Sequence, residues 1–140
     1  MKVLLLSLLL MAGLVHAEPK GKYVILLHAG NETNEGAARA AHALVYAQEM
    51  SENGFDVVLI FDGAASGWAQ EFAKPEHPMY KRYEQVRKSG VVMEICDYCS
   101  EHFHVQEKLS EQQKALLSGD YEGHPSLVKW IGRGYRVISL

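Results

Sequence analysis

The chain has only two cysteines and four prolines among its 140 residues. Small secreted domains that cannot build a sufficient core are held together by several disulfides, and two cysteines cannot provide such a framework. The chain must therefore fold around a hydrophobic core. It also has no low-complexity stretch or linker, and its length suits one domain.

Several functional classes lack their signatures. The formal net charge is −3, with no basic stripe, so nucleic acid is not an expected partner. The glycine-containing segment 30–36 lacks the phosphate-binding patterns Gly-x-Gly-x-x-Gly and Gly-Lys-Ser/Thr, and its two glutamates would repel a phosphate. Segment 64–67 contains a serine but lacks the first glycine of Gly-x-Ser-x-Gly, the nucleophile elbow of α/β-hydrolases, so hydrolase chemistry is not expected. No cofactor is predicted.

The N-terminus has the pattern of a signal peptide. Lys2 supplies one positive charge, segment 3–15 is almost wholly apolar, and Ala17 is the small residue that signal peptidases require. We expect cleavage after Ala17, leaving residues 18–140 as the domain. No later run approaches the roughly 18 apolar residues of a membrane span. The expected product is exported, soluble in the periplasm or outside the cell, and not bound to a membrane.

Continuous apolar runs predict strands that are covered on both faces, as in parallel sheets. These runs are residues 22–28, 55–61, 91–95 and 135–140. A short strand is also predicted at 119–123. With helices between the strands, the pattern predicts a three-layer α/β domain.

The predicted helices lie between these runs. They cover the segment from the cap candidates Asn31 and Thr33 to Asn53, a turn at 68–72, and residues 77–88, 105–118 and 126–131. The first helix has small and apolar residues at helical spacing that should face the sheet: Ala37, Ala40, Ala41, Leu44, Val45 and Gln48.

The two cysteines, Cys96 and Cys99, follow the third strand, where a helix should begin. A helix N-terminus lowers the pKa of a cysteine and favours the nucleophilic thiolate. A Cys-x-x-Cys pair can be a redox dithiol, a nucleophile with a resolving partner, half of a zinc site or a structural disulfide. The spacing alone does not choose among them.

Loops at the carboxyl ends of parallel strands meet in a crevice where ligands bind. His28 ends the first strand and Asp62 follows the second, so both should lie near Cys96. Either could hold or activate the thiolate, and His28 is the stronger candidate. Trp68, in the loop after the second strand, is expected near the crevice mouth.

A local zinc site was also considered. Cys96, Cys99, His102 and His104 lie within nine residues and have the donor types of many zinc sites. On a continuous helix, however, His104 points away from the face that Cys99 and His102 share. No metal ligand is therefore predicted.

The chain resembles the DsrE/DsrF-like family along essentially the whole segment that follows the signal peptide. The resemblance rests on the order and spacing of KYVILLHAG at 22–30, the alanine-rich first helix, VVLIFDG at 57–63, the strand from Gly90 to Cys96, and GYRVISL at 134–140.

This resemblance implies a mostly parallel sheet of about five strands and a homo-oligomer. It also implies that Cys96 corresponds to the cysteine that carries a persulfide in sulfur-relay members, which exchange sulfur with donor and acceptor proteins or small sulfane-sulfur compounds. Cys99 and the signal peptide are departures from those members. The predicted function is sulfane-sulfur binding or transfer on Cys96, with Cys99 as resolving thiol. The alternatives are a non-enzymatic oligomeric binding protein with a structural disulfide or metal site, and a thiol-disulfide oxidoreductase.

Overall fold

The computed structural model describes residues 18–140. The predicted signal peptide, residues 1–17, lies outside the described residues. Within the described part of the chain, no helix combines the length and the apolar character needed to cross a bilayer.

Five strands form one sheet at the centre of the domain. They are β1 (Lys22–Leu27), β2 (Asp56–Phe61), β3 (Val92–Cys96), β4 (Leu117–Ser118) and β5 (Arg136–Ser139). Their order is β4-β3-β2-β1-β5, and every neighbouring pair is parallel. The prediction of a mostly parallel sheet of about five strands is therefore confirmed.

Within residues 18–140, six α-helices and two 3-10 turns connect the strands. The helices are α1 (Asn34–Glu52), α2 (Ser66–Phe72), α3 (Tyr80–Lys88), α4 (Asp97–His102), α5 (Glu111–Lys114) and α6 (Leu127–Ile131), and the 3-10 turns are Gly63–Ala65 and Gln106–Lys108. Because the strands are parallel, each connection has to cross back over the sheet before the next strand begins.

Alternate strand residues pack into two separate cores, one on each face of the sheet. On one face Ile25, Leu59 and Ile95 belong to a large buried cluster with side chains of α1, α2 and α3. On the other face Val24 and Ile60 belong to a smaller cluster that also contains Trp130 of α6 and Tyr135. The predicted three-layer arrangement is confirmed.

The face covered by α6 is the thinner layer. Val92 and Val137, on the strands, and Val128 and Ile131, on α6, are all at least 40% exposed. The predicted homo-oligomer stays a prediction.

A partly buried ion pair holds α6 to the sheet. Glu94 of β3 is 7% exposed, and its carboxylate accepts hydrogen bonds from Lys129 Nζ at 2.6 Å and Trp130 Nε1 at 3.3 Å. Lys129 also pairs with Asp120 and thereby holds the pKa of that carboxyl below its usual range. These contacts fix both ends of the segment that joins β4 to α6. Residue 124 lies in this segment.

The predicted helix at 105–118 is wrong. Leu109 has an extended backbone with ψ of 138°, and Ser110 starts a separate short helix, α5, through a capping box with Gln113. The strand that follows lies at residues 117–118, so the predicted strand at 119–123 is also wrong. Residues 121–124 instead form a tight turn closed by Tyr121 and His124.

Two smaller predictions also differ from the structure. Helix α3 begins at Tyr80 and not at residue 77. His77 precedes Pro78, and the proline ring disfavours helical backbone angles at the residue before it. The residues of α1 that are buried are Gly36, Ala40, Ala43, Leu44 and Ala47, whereas Ala37 is exposed.

The start of α1 depends on a close approach at Gly36. Its backbone N–H donates to Oγ1 of the cap residue Thr33 at 2.9 Å, and a Cβ added there would lie 2.1 Å from the carbonyl oxygen of Gly30. We expect Gly36→Ala to lower the free energy of unfolding by about 1–3 kcal/mol, because the backbone has to move. Urea denaturation measures this change.

Gly67 in α2 is the matched control, because the nearest atom to a Cβ added there is 3.9 Å away. Gly67→Ala should raise the free energy of unfolding by about 0.5–1 kcal/mol through helix propensity. If Gly36→Ala proved as stable as the unsubstituted protein, this account of the loop after β1 would be wrong.

Candidate functional site: a dithiol at the carboxyl edge of the sheet

Cys96 lies at the junction of a buried strand and a helix. It is the last residue of β3 and the N-cap of α4. Its Sγ accepts a hydrogen bond from the backbone N–H of Cys99 at 3.2 Å, in the role that a serine or threonine oxygen usually plays. The second cysteine is therefore one helical turn from the first and on the same side.

Asp62 and His124 join the two cysteines from other parts of the chain. One ligand atom from each of the four residues lies within 4.8 Å of each of the other three. His124 Nδ1 is 3.3 Å from Cys96 Sγ and 3.8 Å from Cys99 Sγ. Cys99 Sγ donates to Asp62 Oδ1 at 3.4 Å. The ends of β2, β3 and β4 thus supply one compact group of polar side chains.

His28 is in contact with this group but not with the sulfurs. Its Nδ1 lies 3.3 Å from Oδ2 of Asp62, whose other oxygen accepts the hydrogen bond from Cys99. Asp62 is itself placed by its backbone N–H, which donates to the carbonyl of Leu27 at 2.9 Å. His28 can therefore orient the carboxylate, and it can influence the thiols only through Asp62.

Burial dominates the electrostatics of both thiols. Cys96 is 0% exposed and Cys99 is 7% exposed. Desolvation raises the pKa of the Cys96 thiol, and the neighbouring Cys99 side chain raises it further, although the Cys99 backbone N–H acts in the opposite direction. Desolvation also raises the pKa of Cys99. The expectation of a lowered pKa at the helix N-terminus is wrong, because α4 is only six residues long and burial outweighs its single N–H.

His124 is held in place by contacts with the first turn of α4. The Tyr98 backbone N–H donates to the carbonyl of Gly123 at 2.9 Å, and the rings of Tyr98 and His124 pack with centroids 5.0 Å apart. Cys96, Cys99 and Tyr98 therefore form one unit with the turn at 121–124.

Sequence reasoning missed His124. A short strand was predicted at 119–123, directly before this residue, but the crevice was predicted only from the ends of the first three strands. Extended to the fourth strand, which the structure places at 117–118, the rule that brought His28, Asp62 and Cys96 together would also have brought in the loop that contains His124.

The other histidines near the cysteines in sequence lie outside the group. His102 stacks on Tyr98 with ring centroids 6.1 Å apart. His104 lies beyond the end of α4 and has a positive φ of 54°.

Trp68 is 7% exposed, and its Nε1 donates to the carbonyl of Ala29 at 2.9 Å. This tryptophan fixes the loop after β1 against α2.

A small pocket gives access to this edge of the sheet. Its volume is about 270 Å³, and its lining residues are Leu26, His28, Ile60, Asp62, His124, Pro125 and Leu127. Asp62 and His124 thus lie between the pocket and the sulfurs, and a small molecule that enters it meets these two side chains first.

A model of the DsrE/DsrF-like family matches residues 22–140. The chain belongs to the DsrE/DsrF-like family. An uncharacterised protein of Methanocaldococcus jannaschii is 36% identical to it over 99 residues, which cover 71% of this chain and 78% of that protein. No solved structure matches significantly.

The DsrE/DsrF-like family is generally linked to sulfur relay. In this DsrE/DsrF-like chain the match includes all five strands and each of the four residues of the polar group. The dithiol therefore lies within the region that defines the family.

The burial of the sulfurs leads to a first test of the site. In reduced protein treated with a chelator, iodoacetamide at pH 8 should alkylate the two cysteines at least about tenfold more slowly in the native state than in urea, because access is blocked and the pKa of each thiol is raised. Mass spectrometry against time measures both rates. Equal rates in the native and the unfolded protein would contradict the burial described above.

Proposed function

We propose that the protein carries sulfane sulfur as a persulfide on Cys96, with Cys99 as the resolving thiol. The observation that carries this proposal is the set of contacts at the Cys96 sulfur. His124 Nδ1 lies 3.3 Å from Cys96 Sγ, and the backbone N–H of Cys99 donates to the same sulfur. The chain belongs to a family linked to sulfur relay. A nucleophile, a proton acceptor and a second thiol are the groups that such chemistry needs.

The loading step starts with proton transfer. Because burial keeps the Cys96 thiol protonated, a base has to take its proton as the donor arrives, and Nδ1 of His124, which can accept a proton when the ring carries its hydrogen on Nε2, is at hydrogen-bond distance. With thiosulfate as donor, the Cys96 thiolate attacks the outer sulfur. The S–S bond of thiosulfate breaks, sulfite leaves with the electron pair, and the outer sulfur remains on Cys96 as a persulfide.

The persulfide can then be consumed in two ways. An acceptor thiolate can attack the outer sulfur, which transfers it and regenerates the Cys96 thiolate. Alternatively, the Cys99 thiolate attacks the inner sulfur, a Cys96–Cys99 disulfide forms, and hydrosulfide leaves with the bonding pair. The second route oxidises the protein by two electrons, so a dithiol reductant must restore it before another cycle.

Access to Cys96 requires a side chain to move. The sulfur is completely buried, and the pocket leads first to Asp62 and His124. Cys99 is slightly exposed and donates its thiol proton towards Asp62, which keeps it neutral while Cys96 reacts.

Intact-mass measurement after treatment with thiosulfate tests the proposal. We expect reduced protein to gain one sulfur atom, and Cys99→Ser to retain that atom longer because its resolving thiol is gone. Cys96→Ser should gain none. Circular dichroism confirms that both variants fold. Sulfur loading of Cys96→Ser at the rate of the unsubstituted protein would contradict the proposal.

His124→Ala should slow loading by about 100-fold near neutral pH, the usual effect of losing a positioned base. His102→Ala is the matched control, because His102 also packs against Tyr98 but lies outside the polar group.

A thiol-disulfide oxidoreductase, the alternative function, would give a different result in the thiosulfate experiment. It would exchange with dithiols through the Cys96–Cys99 disulfide and would never gain a sulfur atom.

A further inference from the structure

The four polar groups at the carboxyl edge have the arrangement of a metal centre. Asp62, Cys96, Cys99 and His124 each direct one ligand atom into a region in which no two of these atoms are more than 4.8 Å apart. Three of the separations are 3.3, 3.4 and 3.8 Å. The ligands come from three separate segments of the chain, so the fold brings them together.

These separations suit a tetrahedral ion. Zinc binds thiolate sulfur at about 2.3 Å and nitrogen or oxygen at about 2.0–2.2 Å, which places neighbouring ligands of a tetrahedron roughly 3.3–3.8 Å apart. These three separations fall in that range, and the limit of 4.8 Å leaves about 1 Å of adjustment for the others.

We propose that the reduced protein binds one Zn²⁺ per chain through Asp62, Cys96, Cys99 and His124. Two thiolates with one imidazole favour zinc over magnesium or calcium, which prefer six or more oxygen ligands. Four protein ligands would fill the tetrahedron, as they do in closed zinc sites.

The surrounding contacts are those of supporting groups in metal sites. His28 Nδ1 is 3.3 Å from the Asp62 oxygen that does not contact Cys99. The backbone N–H of Cys99 donates to Cys96 Sγ at 3.2 Å. Ligating carboxylates and thiolates are usually oriented by such hydrogen bonds. His28 is therefore assigned as a positioning residue for Asp62 in this site.

This ligand set differs from the local one that the sequence spacing argued against. The local set combined the cysteines with His102 and His104, but the fold turns those histidines away and replaces them with Asp62 and His124, which are 34 residues before and 28 residues after Cys96. The distant pair supplies the nitrogen and oxygen ligands that a short turn around Cys96 cannot.

Zinc binding and sulfur loading use the same sulfurs, so each should exclude the other. A thiolate bound to zinc has its lone pair engaged and cannot attack a sulfane donor at the rate of a free thiolate. This competition rests on the proposed function, whereas zinc binding itself does not.

The stoichiometry of zinc on the full chain, after reduction and chelator treatment, tests the site without any sulfur donor. Titration against a chromophoric chelator should show one Zn²⁺ per chain. Cys96→Ser, Cys99→Ser and His124→Ala should each weaken binding by about 100-fold or more, and His28→Ala by about 10- to 100-fold. His102→Ala is the control and should leave the affinity unchanged.

Cobalt(II) supplies a readout that does not depend on variants. Binding at this site should produce thiolate-to-metal charge-transfer absorption and the strong visible bands of tetrahedral cobalt. Three results would overturn the assignment. The first is an octahedral cobalt spectrum without charge transfer, and the second is a zinc affinity no higher than that of a Cys96→Ser/Cys99→Ser protein. The third is loss of zinc binding in His102→Ala.

Competition between zinc and sulfur is then measured by adding zinc to the protein before thiosulfate and comparing the sulfur gain with that of metal-free protein. Zinc-loaded protein should gain no sulfur from thiosulfate, and a chelator should restore the gain seen with metal-free protein. If metal-free protein gains no sulfur, the proposed function fails while the zinc stoichiometry still decides the metal site. If zinc-loaded protein gains sulfur at the full rate, the shared site is wrong.

Discussion

The parallel direction of every strand is the constraint on which the site depends. Because β1 to β4 all point the same way, the residues that follow them meet at one edge of the sheet. His28, Asp62, Cys96 and His124 are far apart in the sequence, and each is positioned by the end of a different strand or the loop after it. Inverting one strand would remove its residue from the group.

The second constraint is burial. The strand that ends at Cys96 is covered on both faces, so its sulfur is removed from water and its thiol is kept neutral. A buried thiol becomes a thiolate only when a base takes its proton or a cation compensates the charge. In the proposed sulfur transfer His124 would provide the first route, and in the proposed metal site zinc would provide the second. Both uses of the site therefore follow from the same burial.

Much of the fold could be predicted because long buried strands have a strong sequence signal. The apolar runs that became β1, β2, β3 and β5 were continuous, and the cap at Thr33 marked the start of α1. The segment after Cys99 could not be predicted in the same way, because β4 has only two residues and α5 only four. Such short elements are set by tertiary contacts, here the capping box at Ser110 and the pairing of β4 with β3.

The site was predictable to the same extent. The rule for parallel sheets identified Cys96 as the centre and placed His28 and Asp62 nearby, with His28 as the stronger candidate. The structure puts Asp62 in contact with Cys99 and His28 behind Asp62. His124 follows the fourth strand, whose end was not included in the predicted crevice, so its contact with the two sulfurs emerged only from the folded chain.

The most direct test of the central claim is the location of the sulfur atom. Cys99→Ser protein, loaded from thiosulfate labelled in its outer sulfur and capped with an alkylating reagent, should carry the label on Cys96 in fragment spectra of the peptide between Lys88 and Lys108. A label on any other residue, or an unlabelled peptide from fully reduced, metal-free protein, would contradict a persulfide on Cys96.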